Sequence, residues 1–259
     1  MRVPVVQHRG RRRRALGRRV LWTGGEFLVT AGVVLLLLVV HELWWTNREA
    51  RQGAEHQVQA LERQWATPGA GSGGMPSANS GLAGGSSPRR STSADGSTAV
   101  TGSAITTPRR SQAYAILTIP RLHLRVPIAE GVSKQNVLNK GYVGHYPGTQ
   151  QPGQAGNFAL AGHRNTHGEP FRYLPRLRLK DTVQVETSAA TYTYTVDKIL
   201  PQTSASDSGV IRPIPRSTVR PAYGYSRPGF YITLTTCTPE FTSRYRMAVW
   251  GTLTSTHVR

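Results

Sequence analysis

Apolar residues fall into three regimes along the 259-residue chain. Over residues 20–45 they are nearly continuous, mostly Val, Leu and Trp. A bilayer-spanning helix needs about 20 such residues, so this run predicts a single transmembrane helix. Trp22 stands at one end and Trp44 and Trp45 at the other, where an aromatic belt belongs. Glu26 and Glu42 lie near the ends, from which a carboxylate reaches the interface. Residues 46–65 are polar, rich in helix formers and weakly periodic, which predicts a frayed helical stalk. Residues 66–112 collapse into Gly, Ser, Thr, Ala and Pro and cannot bury enough apolar surface to offset chain entropy. They read as a disordered tether that lets the downstream domain range about 35–40 Å from the membrane.

Residues 113–259 are different: short alternating runs of β-branched and aromatic residues, broken by Pro and Gly. Strands are predicted over 113–120, 122–130, 156–162, 182–187, 191–200, 229–237 and 244–254. Residues 133–141 start on a cap candidate, Ser133, and end on Gly141, which predicts a short helix; 169–177 predicts one helical turn. About eight strands with few helices predict a mainly β domain, a closed or nearly closed β-barrel.

Charge adds the compartment. The chain carries 32 Lys and Arg against 13 Asp and Glu, a net charge of +19. Eight of the arginines lie between Arg2 and Arg19, and such a cluster alone would suit nucleic acid. Placed directly before an apolar helix it instead sets orientation, because positive residues stay inside. Residues 1–19 then form a basic cytoplasmic tail and everything after residue 45 lies outside, on the far face of the plasma membrane. The apolar run ends in "HELWWTNREAR" with no A-x-A-like site, which predicts an uncleaved anchor. Outside the cell a single cysteine, Cys237, cannot form an internal disulfide. It is free, or it pairs with another chain.

Alternation places the candidate chemistry. In "YITLTTC", Ile232 and Leu234 share one face, and Thr233, Thr235 and Cys237 the other. In "RYRMAVWG", Tyr245, Met247 and Val249 share the apolar face, with Arg244 and Arg246 opposite. If both apolar faces meet the core, Cys237 and Arg246 point the same way across a hairpin-type connection. A guanidinium there favours thiolate and offers donors to a negative oxygen. Of the histidines in this region, His163 ends an apolar strand with small alternate neighbours, Ala159 and Ala161. His123 reads as a surface or packing residue, His145 as a loop residue and His167 as a turn residue. Singly, each candidate has a bland reading: an inert strand cysteine, a structural histidine, a solvated arginine. A metal site on His163 and His167 lacks further ligands and a helix to bring them together, so no metal and no cofactor are expected.

The combination of "LAGHR" with a much later "TLTTCTPEFTSRYRM" resembles the sortases, cysteine transpeptidases of Gram-positive surfaces, and most resembles their class E type. "GHYPGTQQPGQAGNFALAGHR" extends the likeness, which covers residues 113–259. The resemblance implies an extracytoplasmic catalytic β-barrel with Cys237 as nucleophile, His163 as acid/base and Arg246 as the oxyanion and substrate-aligning residue. Arg244 is the alternative for that last role, and a backbone N–H near Thr236 a supporting donor. It also implies the partners: secreted proteins with a C-terminal LAxTG or LPxTG-like sorting signal, a peptidoglycan precursor or stem-peptide amine, and the lipid bilayer, but no nucleic acid. The alternative is an inactive, membrane-tethered cationic module gripping the wall through a domain with 17 basic and 7 acidic side chains; binding alone would not need the Cys/His/Arg trio. Glu240 would oppose thiolate formation if it turned inward.

Overall fold

A computed structural model describes the backbone of residues 9–66 and 108–259. One long helix, α1 (Arg9–Ala66), is followed by β1 (Ala113–Ile119), β2 (Leu124–Glu130), β3 (Val143–His145), β4 (Gly156–Ala161), β5 (Thr182–Glu186), β6 (Ala190–Ser204), β7 (Phe230–Thr238) and β8 (Tyr245–Val258). Residues 67–107, the bulk of the expected tether, lie outside the described residues, as does the start of the basic tail. Among the described residues α1 alone is long and apolar enough to cross a membrane, and its side chains from Val33 to Val40 are exposed.

The strands close into a barrel in the order β1-β2-β3-β4-β7-β8-β6-β5, with β5 returning to β1. Two neighbouring pairs are parallel, β2 with β3 and β4 with β7; the rest are antiparallel. Alternate residues fill the interior: Leu117 and Ile119 from β1, Phe158 and Leu160 from β4, Ile232 and Leu234 from β7, Met247 and Val249 from β8. The odd-even pattern read from β7 and β8 is therefore the one that builds the core. On the outer face of β8, Trp250 and Ala248 lie under Val210, from a one-turn segment in the β6–β7 connection, and Leu200 joins them. Trp250 Nε1 donates to Val210 O at 3.1 Å and so ties that connection to the sheet.

Several expectations are corrected. Residues 133–141 are a series of turns ending in a 3-10 turn at Leu138–Lys140, not an α-helix. Ser133 does cap the segment, its Oγ accepting from Asn136 N, but Asn139 N bonds to Lys134 O, five residues back, so the spacing is too wide for a helix. His145 is in β3 rather than a loop, 1% exposed, with its Nδ1 2.6 Å from Glu130 Oε2. His123 caps the turn between β1 and β2 with a left-handed backbone (φ 48°) instead of alternating within a strand. β6 runs 15 residues, well past the predicted stretch, because β8 is long enough to pair along it.

The largest correction concerns the stalk. It is continuous with the membrane-length helix, and one side of it is buried: Ala50, Ala54, Val58 and Leu61. These positions are spaced by three or four residues, one helix face. Val58 and Leu61 pack on Ile116, the outward-facing residue of β1. That is why "AILTI" in β1 reads apolar on both faces: one faces the barrel interior and the other the helix. The barrel is held against α1 rather than ranging free of it.

Candidate active site

Of three adjacent strands, β7 and β8 carry Cys237 and Arg246, and His163 follows the end of β4 by two residues. Ala161, the last residue of β4, pairs in parallel with Thr235 of β7. Gly162 N then donates to Thr235 O at 3.1 Å, extending the register by one step. His163 is the next residue, level with Cys237. On the other side Cys237 is directly opposite Arg246 in the β7–β8 ladder. Neighbouring strands lie about 4.8 Å apart, so imidazole, thiol and guanidinium start from backbones in one row.

Hydrogen-bond parity sharpens the Cys237–Arg246 relation. Thr235 O points toward β4, so along an extended strand Cys237 O points the same way; it accepts from Arg164 Nη1 at 3.3 Å. Cys237 and Arg246 are therefore a non-hydrogen-bonded antiparallel pair, the kind with Cα atoms about 4.5 Å apart and side chains closest. Both project from the outer face, because their neighbours Leu234, Met247 and Val249 point inward. Cys237 is a free thiol and partly exposed, at the place where the buried run from Tyr231 to Thr236 ends.

Arg246 is half-buried, and its Nη1 donates to Ser243 O at 2.8 Å and Tyr245 O at 3.0 Å. Those bonds orient the guanidinium at the hairpin base. Arg244 precedes β8, is exposed and stacks on the Tyr245 ring at 5.1 Å. The register thus sets Arg246, not Arg244, against the thiol. Thr236 points the other way. Parity commits its peptide N–H to the ladder with Met247, while its buried hydroxyl donates to Gly162 O at 2.8 Å and fixes the peptide before His163. Glu240 does not turn toward the sulfur: its carboxylate pairs with Arg172 at 3.2 Å.

His163 Nε2 lies 2.9 Å from Asn139 Oδ1. An amide oxygen only accepts, so Nε2 carries the proton and Nδ1 keeps the lone pair. Burial, then the neighbouring His167 and Lys134, lower the imidazole pKa from 6.5 to about 4. The His167 ring stacks on it with centroids 5.5 Å apart. At neutral pH the imidazole is a neutral base of fixed tautomer. The outer face beside Cys237 is polar and short-limbed: Tyr146 OH meets Thr235 Oγ1 at 3.0 Å, one step along the same face from Cys237. Farther along, Thr233 donates to Asn157 Oδ1 and lies under Val210, closing that end of the outer face. Among the described residues no three His, Cys, Asp or Glu side chains converge on a metal position.

Two contributors escaped the sequence reading. Arg164, next to His163 in "GHRN", holds Cys237 O and, at 3.0 Å, Thr238 Oγ1. Its place beside His163 at a strand end was a usable signal. Asn139 offered none, since it reaches His163 from 24 residues away.

Comparison with known proteins agrees with this architecture. The sortase domain family model matches residues 117–254. The chain is 42% identical over 232 residues to sortase SrtE1 of Streptomyces coelicolor, covering 88% of this chain and 55% of that one. It is 32% identical to sortase SrtE2 of the same organism, covering 95% of this chain and 88% of that one. The chain thus spans little more than half the length of the first relative and most of the second. Among solved structures, sortase E1 of S. coelicolor with a tripeptide in its active site matches with 49% identity and a TM-score of 0.55, over 59% of this chain and 94% of that one. Sortase E of Streptomyces avermitilis matches with 39% identity and a TM-score of 0.51, over 58% and 93%. With the family model matching more than half of the chain and relatives of 42% and 49% identity among the sortases E, the chain is a member of the sortase family, of the sortase E type.

Proposed function

We propose that this protein is a membrane-anchored transpeptidase that cuts an LAxTG or LPxTG-like sorting signal between Thr and Gly and transfers the protein to a cell-wall amine. The observation that carries the reading is the level placement of His163 and Arg246 on either side of Cys237. Cys237 Sγ attacks the Thr carbonyl carbon and gives its proton to His163 Nδ1. Arg246 donates to the oxyanion as charge develops there, together with a backbone N–H at the end of β7. His163 then passes the proton to the departing Gly amine, the C–N bond breaks and a thioester remains on Cys237. An incoming amine attacks that thioester, loses a proton to His163, and the sulfur leaves. Covalent storage of the acyl group is what lets an amine compete with water.

α1 supplies the anchor in this reading. Its exposed Val/Leu run spans the bilayer, the arginines before it stay cytoplasmic, and the barrel lies outside. Trp44 and Trp45 mark the outer interface, so the cleft operates close to the membrane surface. The test uses the full chain in detergent with a fluorogenic LAxTG peptide and an amine acceptor. Ligated product is expected, and Cys237→Ala is expected to make none. Ligation by that variant would overturn the reading.

A further inference from the structure

The helix that leads out of the membrane reaches two segments beside His163: the corner that follows it and the turn that carries its partner Asn139. Asn47 Oδ1 accepts from Gly168 N at 3.2 Å, and Asn47 Nδ2 donates to Glu169 Oε1 at 2.9 Å. Arg51 Nε donates to Gly168 O at 3.2 Å, and its Nη2 to Glu169 Oε2 at 3.0 Å. Four bonds from two helix residues thus grip one corner, five and six residues after His163. That corner is built for capture. His167, Gly168 and Glu169 all have left-handed backbones, with φ of 53°, 81° and 52°. The Glu169 side chain is only 3% exposed.

The grip extends to both other parts of the site. Glu169 also takes Arg172 Nη1 at 2.7 Å, and Arg172 Nη2 reaches Glu240, in the connection that follows Cys237, at 3.2 Å. On the opposite side, Gly141 follows the 3-10 turn that carries Asn139, the partner of His163. A Cβ on Gly141 would lie 2.7 Å from Ala50 O of the helix, so the contact there is backbone to backbone.

We propose that residues 47–51 of α1 are a positioning element of the active site: Asn47 and Arg51 hold the 163–171 segment while Ala50 seats the Asn139 turn, so that the imidazole is presented to Cys237 in one orientation. This rests on His163 being the acid/base. It makes the catalytic unit larger than the barrel and gives the membrane helix a part in turnover besides anchorage. Asn47 and Arg51 act through the loop and touch no substrate; they are positioning residues.

The test compares the full chain in detergent micelles with Asn47→Ala/Arg51→Ala, Arg51→Lys, Gln59→Ala on an exposed side of the same helix, and His163→Ala. The double variant is expected to lose about tenfold in kcat with KM within about twofold, well short of the roughly hundredfold that a 1 Å misplacement costs. Amide exchange over 164–171 is expected to quicken, since Gly168 N loses its acceptor. Arg51→Lys, keeping the charge and one bond, should fall between wild type and the double variant, and Gln59→Ala should match wild type. A double variant with faster exchange but unchanged kcat, while His163→Ala is inactive, would overturn the positioning role and leave the proposed function standing. Full turnover by His163→Ala would remove the acid/base assignment and the positioning role together.

Discussion

Arg164→Met is the substitution that best separates holding the nucleophile from holding the fold. Arg164 Nη1 makes two bonds, to Cys237 O at 3.3 Å and Thr238 Oγ1 at 3.0 Å. Hydrogen bonds from a charged group contribute about 1.5–3 kcal/mol each, and the longer one belongs at the low end. Against them stands Arg164 Nε, buried without a partner. An unsatisfied buried donor costs about 1–3 kcal/mol. The two bonds outweigh that penalty by about 1–2 kcal/mol, so replacement by Met, of similar length and apolar, should lower unfolding free energy by about that modest amount. The effect on turnover is separate. Without Arg164 the Cys237 peptide loses its tether on the β4 side, where β4 itself has already ended. Loss of one such oriented contact is expected to lower kcat by about tenfold, or about 1.4 kcal/mol in activation free energy, with KM nearly constant. Stopped assays with a fluorogenic sorting-signal peptide give the kinetic constants, and urea unfolding gives the stability. A large stability loss with unchanged kcat would refute the reasoning, because it would make Arg164 a fold residue.

The same geometry sets other outcomes. Activity should fall as pH drops through about 4, the pKa to which burial lowers His163, because the protonated imidazole cannot accept the thiol proton; an acid limb near the ordinary 6.5 would contradict the buried setting. The unfolded chain takes up that proton at about 6.5 and the folded chain only at about 4, so His163's contribution to stability falls as pH decreases across this interval. Gly141→Ala should cost at least about 1–2 kcal/mol, since φ is +77° and the new Cβ meets Ala50 O; protease cleavage within residues 47–66 should rise in parallel. Asp207→Asn should loosen the β6–β7 connection, because the carboxylate accepts from Thr203, Ser217 and both the N–H and hydroxyl of Thr218. Burial raises this carboxyl's pKa, but those four bonds outweigh it and the net shift is downward. The wild-type connection should therefore stay closed until the pH falls below the ordinary carboxyl range, with limited proteolysis of 205–229 as the readout.

Much of the site was legible because strand chemistry is local. A period of two sets the faces of "YITLTTC" and "RYRMAVWG", and a short connection makes them pair, so Cys237 and Arg246 come together from sequence spacing alone. His163 needed more: its nearness to Cys237 depends on a parallel pairing of β4 with β7, strands about 70 residues apart whose register no local pattern encodes. The resemblance of "LAGHR" to sortases bridged that gap. Asn139 and the Arg51–Glu169 contact stayed hidden for the same reason, being side-chain meetings across 24 and 118 residues. β3 has only three residues, too few for alternation to register. The stalk misled because its buried positions include two alanines, which add little to an apolar periodicity, and because the surface they fit is made by β1 and by glycines elsewhere.

The central claim is that Cys237 holds the cleaved polypeptide as a thioester while His163 handles the proton. Intact-protein mass spectrometry of the full chain, acid-quenched during turnover of a sorting-signal peptide, tests it most directly. The account predicts an adduct equal to the peptide portion up to and including Thr, located on the fragment containing Cys237, removed by hydroxylamine and lacking in Cys237→Ala. Product formed by Cys237→Ala, or an adduct on any other residue, would contradict it.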